Sequence, residues 1–488
     1  MFRRTLLIGL TLSTSAVAFV PGAALAQDSA AAVLKRASAA MGAPNTIRYA
    51  GEGTGWTFGQ AYKPGMPWPK IDIQSQARTI NYSTGSMREE MAFNRGEPRG
   101  GGGYPLSGQA RNDFYVSGNF AWNVTPAGAA PGPRFVTDRT HQLWISPHGV
   151  INAAARNNAT VQWLTKDGKS LAAVSFTEPG KFAATAFIND DYLVERVESR
   201  LPDPVLGEVS ATTVYSNYRD YGGVKFPGRI QQSQGGHPTL DLTVKEVQPN
   251  AAADIQVPDN VRAAAERVTA EKVADGVWFI AGGSHNSAAI EMKDHLILVE
   301  APLNDGRTGP VLAEVKKLAP GKPIRYVINS HNHFDHSGGL RAAVADGATV
   351  IVQAESKPYF ERAFATQGKI APDMLTKSGK KATVRPVNDS MTLSDGARTV
   401  ELRRITGGVH TDTFLMVYLP KERLLIEADA YTPLAPDAKP PATPNANNVN
   451  LIENIERQKL AVDRILPLHG RVVPLADLYT TAGRTPPK

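Results

Sequence analysis

The chain has 488 residues, no cysteine, 42% hydrophobic and 20% charged residues, and a formal net charge of +7. That length exceeds one average domain and predicts two. Without cysteine there are no disulfides and no thiolate metal ligands, and basic residues this scattered argue against a nucleic-acid surface.

Met1-Phe2-Arg3-Arg4 precedes the apolar run Thr5-Leu6-Leu7-Ile8-Gly9-Leu10, and Ala24-Leu25-Ala26 supplies a small-x-small cleavage pattern. Residues 1–26 therefore read as a signal peptide. The apolar run is too short and interrupted for a membrane anchor, and no later segment reaches spanning length. Cleavage removes two arginines and no acid, leaving +5. The expected destination is the periplasm or the medium of a bacterium; the paired arginines do not decide between general secretory and twin-arginine export.

Residues 31–41 read as an alanine-rich helix ending before Gly42. From 48 to 247 the pattern turns to short β-type runs punctuated by Gly and Pro. Residues 240–245 alternate with period two, and 171–176, 182–188 and 211–215 are further strands. Residues 65–69 and 99–103 read as loops, the second glycine-rich and mobile. The tryptophans Trp56, Trp68, Trp122, Trp144 and Trp163 are expected in core or loop packing. This spacing of strands suggests one curved antiparallel sheet or an open barrel. The early helix, the β-rich stretch and Tyr218-Arg219-Asp220-Tyr221-Gly222-Gly223-Val224-Lys225-Phe226-Pro227 late in it resemble periplasmic lipoprotein-carrier-like domains. That resemblance implies a curved sheet partly closed by helices over an apolar groove, and with it a lipid- or lipoprotein-binding envelope role.

Prolines and alanines at 249–259 mark a boundary, giving a β-rich accessory domain over 27–262 and a second domain over 263–488. A short helical piece at 261–266 leads to strands at 277–280, 288–292 and 295–300, a helix at 311–318 and a strand at 324–328. There follow a helix at 340–346 stopped by Gly347, a strand at 349–352, a helix at 359–364, and strands at 400–405, 414–419 and 424–427. A helix at 451–462 and a strand at 464–466 end the series. Strands in runs and then alternating with helices suggest two sheets with helices outside. The whole reads as an α+β chain of two domains.

The strand at 324–328 runs into His331-Asn332-His333-Phe334-Asp335-His336, four metal-capable side chains in a tight loop at a strand's carboxyl end. Three histidines and an aspartate are donors that zinc favours. His410, after Thr406-Gly407-Gly408-Val409, Asp429, after Leu424-Leu425-Ile426-Glu427-Ala428, and His469, after Ile465-Leu466-Pro467-Leu468, each follow a predicted strand.

In this order the residues resemble the metallo-β-lactamase-fold superfamily of metallohydrolases over about 270–480, which implies a four-layer αβ/βα sandwich. The resemblance further implies a first zinc on His331, His333 and His410, and a second on Asp335, His336 and His469, with Asp429 bridging. A chain without cysteine excludes the relatives that use Cys for the second zinc. A bridging Asp is the arrangement of the superfamily's glyoxalase-II-like thioesterases, lactonases and phosphodiesterases. Two ions about 3.5–4 Å apart hold a hydroxide between them and lower the pKa of bound water from roughly 15.7 to near 7. The expected function is an exported binuclear zinc hydrolase of a carbonyl bond: lactone, thioester, ester or β-lactam.

Asp335 is the candidate catalytic residue, orienting the hydroxide and passing on its proton, and Asn329, Ser330 and Ser337 are candidate partners of the imidazoles. His285, in the hairpin 282–287, and Tyr431, two residues past Asp429, are candidate substrate contacts. Residues 366–380 and 433–448 are candidate lids. The implied cofactor is two Zn²⁺, with iron and manganese left open, and the implied partner is a small molecule, hydrophobic if the first domain delivers it. Phosphodiester cleavage and iron-dependent sulfur oxidation are the alternatives; oligomeric state is not read from the sequence.

Overall fold

The computed structural model describes residues 28–101 and 108–486. The signal peptide expected over 1–26 lies outside the described residues, as do glycines 102 and 103. Three sheets of thirteen, seven and six strands organise what is described.

The thirteen-stranded sheet is antiparallel throughout and is built from residues 46–249. The strand Thr46–Trp56 pairs with Lys70–Asn81 on one side and with the central strand, His237–Pro249, on the other. Successive hairpins run outward from it to the edge strand Gly128–Pro131, and others return from the opposite edge strand, Thr160–Lys166. Leu240, Leu242 and Val244 face the core while Thr243 and Lys245 point out, as the alternation requires.

The helix Ala30–Met41 is capped by Ser29, whose side chain accepts from the Ala32 amide. It packs on one face of this sheet through Val33, Leu34, Ala37 and Met41. Two helices in the β-rich stretch escaped the sequence reading, Val136–Trp144 and Pro147–Arg156. They carry the chain from one sheet edge to the other. Each is short, and Leu143, Trp144, Val150, Ile151 and Ala154 enter the same core; so few turns leave little period to detect. With the first helix these two pack against the sheet.

In the second half, the strands Leu296–Val299, Ile324–Ile328, Thr349–Gln353 and Val384–Val387 run parallel, next to three antiparallel strands that begin at Thr269. Leu296-Ile297-Leu298-Val299 is apolar without alternation because both of its sides are covered. Ile297 and Val299 share a core with the six-stranded sheet, whereas Leu296 and Leu298 share one with the helices Asp305–Leu318 and Leu340–Asp346. Gly347 ends the latter helix at φ 113°, as expected. The helix expected at 451–462 instead spans Ala446–Arg457, because the Asn445 side chain caps it earlier by accepting from the Asn447 amide.

The β-rich half is joined closely to the second half. After Trp56 the chain leaves the sheet and lies along the strand-end loops of its neighbour. The Phe334 amide donates to Gly59 O, the Asp412 amide to Tyr62 O, and the Gly100 amide to Val409 O. The glycine-rich loop expected to be mobile is thus anchored at Gly100 and Gly101. Phe58, Trp68 and Phe334 form an edge-to-face trio with centroids 4.9–5.7 Å apart.

Candidate metal centre

The strand Ile324–Ile328 delivers the loop of His331, His333, Asp335 and His336, the last two on a one-turn helix, Phe334–Ser337. His410 lies between the strands Thr399–Arg404 and Leu415–Leu419, Asp429 follows Leu424–Glu427, and His469 follows Arg464–Pro467. All seven converge. His331 Nε2 is 2.9 Å from His333 Nδ1 and 3.2 Å from His410 Nε2. His336 Nε2 and His469 Nε2 are 3.2 Å apart. Asp429 stands between the two groups: Oδ2 is 3.0 Å from His410 Nε2, and Oδ1 is 2.8 Å from His336 Nε2 and 3.0 Å from His469 Nε2.

Each of four imidazoles is fixed from behind, which leaves its other nitrogen facing inward. His333 Nε2–H donates to the Ala61 carbonyl at 3.2 Å, His469 Nδ1–H to the Ser284 carbonyl at 2.8 Å, and His336 Nδ1–H to Glu300 Oε2 at 2.6 Å. His331 Nδ1 meets Ser330 Oγ at 2.8 Å. Asn329 acts one step further out, donating to Glu300 Oε1 and to His336 O, and Ser337 Oγ turns back to His333 O within its own helical turn.

The electrostatics match a cation-binding pocket. Burial lowers the His331 imidazole and takes His333 down to about 3, so both are neutral lone-pair donors at pH 7. For Asp335 and Asp429 burial works upward, but His336 and its neighbours hold both carboxyls well below the usual range. His336 is raised against its own burial by Asp429 and Asp335. Asp429 Oδ1 is buried and, despite its short contacts, makes no well-formed hydrogen bond. Inward-facing imidazole nitrogens around an orphaned carboxylate oxygen are the donor set of a metal site. Two groups of metal-capable residues lie within reach of one ion each: His331, His333, His410 and Asp429, and His285, His336 and His469.

His285 is not a rim residue. Its ring is buried, 4.4 Å from the His469 ring between centroids, and Nε2–H donates to Asp335 Oδ2 at 3.0 Å. Asp335 Oδ1 accepts from Gln60 Nε2 at 2.8 Å, so both carboxylate oxygens are held, one from each half of the chain. Tyr431 is corrected too. It is 1% exposed, packed in the core shared by the two smaller sheets, with its hydroxyl 3.5 Å from Thr481 Oγ1. It does not face the centre.

Three supports were missed in the sequence. Glu300 ends a wholly apolar strand in a left-handed conformation, φ 68°, and is fully buried on His336. An acid closing such a run was the signal. Gln60 and the Ala61 carbonyl left none, since nothing local marks a residue that acts on a ligand some 270 positions away.

Residues 280–461 match the family model of the metallo-beta-lactamase superfamily, which places that stretch in it. A curated relative, 2,4-dinitroanisole O-demethylase subunit alpha of Nocardioides sp. (strain JS1661), is 29% identical over 163 residues, 33% of this chain and 46% of that protein. The chain thus matches about half the length of that relative. Among solved structures, the metallo-beta-lactamase from Pontibacter korlensis is similar at 19% identity over 44% of this chain and 98% of its own, with a TM-score of 0.33. The metallo-beta-lactamase from Hirschia baltica is similar at 22% over 45% and 99%, with the same TM-score.

Proposed function

We propose that the second half of the chain is a four-layer αβ/βα sandwich carrying a binuclear zinc hydrolase site. His331, His333 and His410 would hold one ion, Asp335, His336 and His469 the other, and Asp429 would lie between them. The observation that carries this reading is the division of the Asp429 oxygens between two separate imidazole groups. A pair of divalent ions bound there supplies a nucleophile from water at neutral pH and polarises a carbonyl oxygen.

The chain's own residues set the geometry. Gln60 and His285 each take one lone pair of Asp335, so with one oxygen on the ion a single lone pair would be left to orient water and accept its proton. Glu300 keeps His336 Nε2 directed inward. The bond cleaved is a carbonyl one, in a lactone, thioester, ester or β-lactam. The curated relative's name adds a second candidate, an aryl methyl ether such as 2,4-dinitroanisole, which the aromatic cavity beside Asp335 would suit. The signal-like first 26 residues support a location outside the cytoplasm.

The test is metal content by mass spectrometry on the purified protein and on Asp429→Ala. Turnover of lactone, thioester, cephalosporin and 2,4-dinitroanisole probes is measured alongside. About two zincs per chain, lost together with turnover on substitution, is the expected result. One iron and no turnover overturns the reading.

A further inference from the structure

Between the two halves lies a cavity of about 700 Å³, which reaches Asp335 and Gln60 at one end. That volume falls within the range of small-molecule sites. Four phenyl rings, Phe58, Phe114 and Phe135 from the β-rich half and Phe334 from the metal loop, line it without being fully buried. Phe58 and Phe334 meet edge to face, and Phe114 and Phe135 lie under the Arg139 guanidinium at 4.5 and 4.6 Å, so each ring offers the cavity the part of its apolar surface that stays exposed.

The charges around this space are mostly spent. Arg139 donates to the carbonyls of Tyr115 and Trp122 and to Asn123 Oδ1. Asp203 accepts from the Val205 and Leu206 amides, Asp305 from the Met374 amide, and Asp373 is paired with Arg341. Asp138 is exposed to the cavity, and the loss of solvent there together with Asp203 raises its carboxyl above the ordinary value. Arg134 differs. Its guanidinium sits over the Phe135 ring at 4.5 Å, has no hydrogen bond or ion pair among the described residues, and is close enough to Asp335 to feel its charge. A cation held on an aromatic face, lining a cavity and with its donors unpaired among the described residues, has the chemistry of a carboxylate receptor.

We propose that this cavity is the substrate chamber, taking a carbonyl compound with an apolar body of aromatic size among the four phenylalanines and a carboxylate on Arg134. The site is built jointly by the two halves, so the β-rich half selects the substrate. The inference rests on the hydrolase reading only for the chemistry at the floor; the binding is separate.

The test uses the full-length protein stripped of metal by chelation, so that no ion attracts the probe, and titrates 4-phenylbutanoate and its uncharged analogue 4-phenylbutanamide by calorimetry. The wild type is expected to bind the carboxylate about tenfold tighter than the amide, the size of one charge-assisted contact. Arg134→Gln is expected to erase that preference while leaving amide binding in place, and Phe114→Ala to weaken both probes. Unchanged melting temperatures show that the variants fold. Equal binding of the two probes by wild type, a preference that survives Arg134→Gln, or no binding of either at millimolar concentration each overturns the proposal. Asp429→Ala, which removes the metal and turnover, is expected to keep the preference. An intact carboxylate preference together with no turnover of the lactone, thioester, cephalosporin or 2,4-dinitroanisole probes by zinc-loaded protein would therefore remove the hydrolase reading and leave the chamber.

Discussion

Gly101 offers a direct test of how tightly the β-rich half is built into the metal centre. It has no side chain, and a Cβ at that position would lie 2.2 Å from His333 Cε1 and 2.3 Å from Gln60 Oε1. Carbon atoms in contact sit about 3.5 Å apart, so Gly101→Ala requires the ring or the loop to yield by about 1.3 Å. His333 is fully buried, with Nδ1 2.9 Å from His331 Nε2 and Nε2 on the Ala61 carbonyl. Metal–ligand distances tolerate about 0.2 Å, far less than this displacement. The expected outcome is a loss of about 10–100-fold in affinity for the first ion, with about 1–3 kcal/mol of overpacking strain. Gly101 is not among the residues of positive φ, so alanine is acceptable to the backbone and the effect is steric. Competitive chelation followed by mass spectrometry reads the affinity, and a thermal scan reads the strain. Gly309→Ala is the control: it lies in the helix Asp305–Leu318, and its nearest non-local atom would be Met374 Sδ at 3.9 Å. If Gly101→Ala binds metal as tightly as wild type, the apposition of the two halves at His333 is refuted.

Glu300→Gln removes the charge that holds the His336 Nδ1–H, and affinity for the second ion is expected to fall about 10–100-fold while the first is retained, read by stepwise chelator competition. Tyr431→Phe is expected to leave kcat within about twofold and to cost about 1 kcal/mol of stability, since the hydroxyl meets only Thr481 in the core. A tenfold fall in kcat would put that hydroxyl back at the reaction centre. His148 is buried under the first sheet, with Nε2–H on the Met41 carbonyl, and burial takes its imidazole down to about 4 from an ordinary 6.5. The unfolded chain therefore gains a proton below pH 6.5 that the fold refuses, and this stability contribution is lost as pH falls from 6.5 towards 4. Relative to His148→Gln, wild type should lose up to about 1.4 kcal/mol per pH unit in that window, followed by urea midpoints. A pH-independent difference would contradict it.

The parts of the molecule that could be read from sequence are those whose cause is local. Residues 324–328 are a strand because β-branched and aromatic residues fill it, and Gly347 stops a helix because it accepts a left-handed conformation. The candidate ligands were legible for a related reason: a histidine or aspartate directly after an apolar run is placed by the strand, and four of them fall within six residues. The helices Val136–Trp144 and Pro147–Arg156 were not legible, since their apolar faces are defined only by the sheet they cross. Tyr431 misled because proximity in sequence to Asp429 says nothing about direction. One residue intervenes, the chain turns, and the ring enters the core on the far side.

The second layer of the centre shows why reading each half alone falls short. The bonds that orient His333 and Asp335 come from Ala61 and Gln60, and the Asn332 side chain and the Phe334 amide also end on the same short segment, at Ala61 O and Gly59 O. Each is a buried or half-buried polar group that would lose its partner if the β-rich half were displaced, and a buried donor left unpaired costs about 1–3 kcal/mol. Several such groups next to one another make the two halves energetically one unit around the metal loop, although the strand pattern divides the chain near residue 260. The thirteen-stranded sheet is therefore better described as the scaffold that holds residues 57–62 and 100–101 against the ligands than as an appendage. Orientation of the candidate ligands and stability of the centre are then properties of both halves together, and in the proposed chamber so is substrate selectivity.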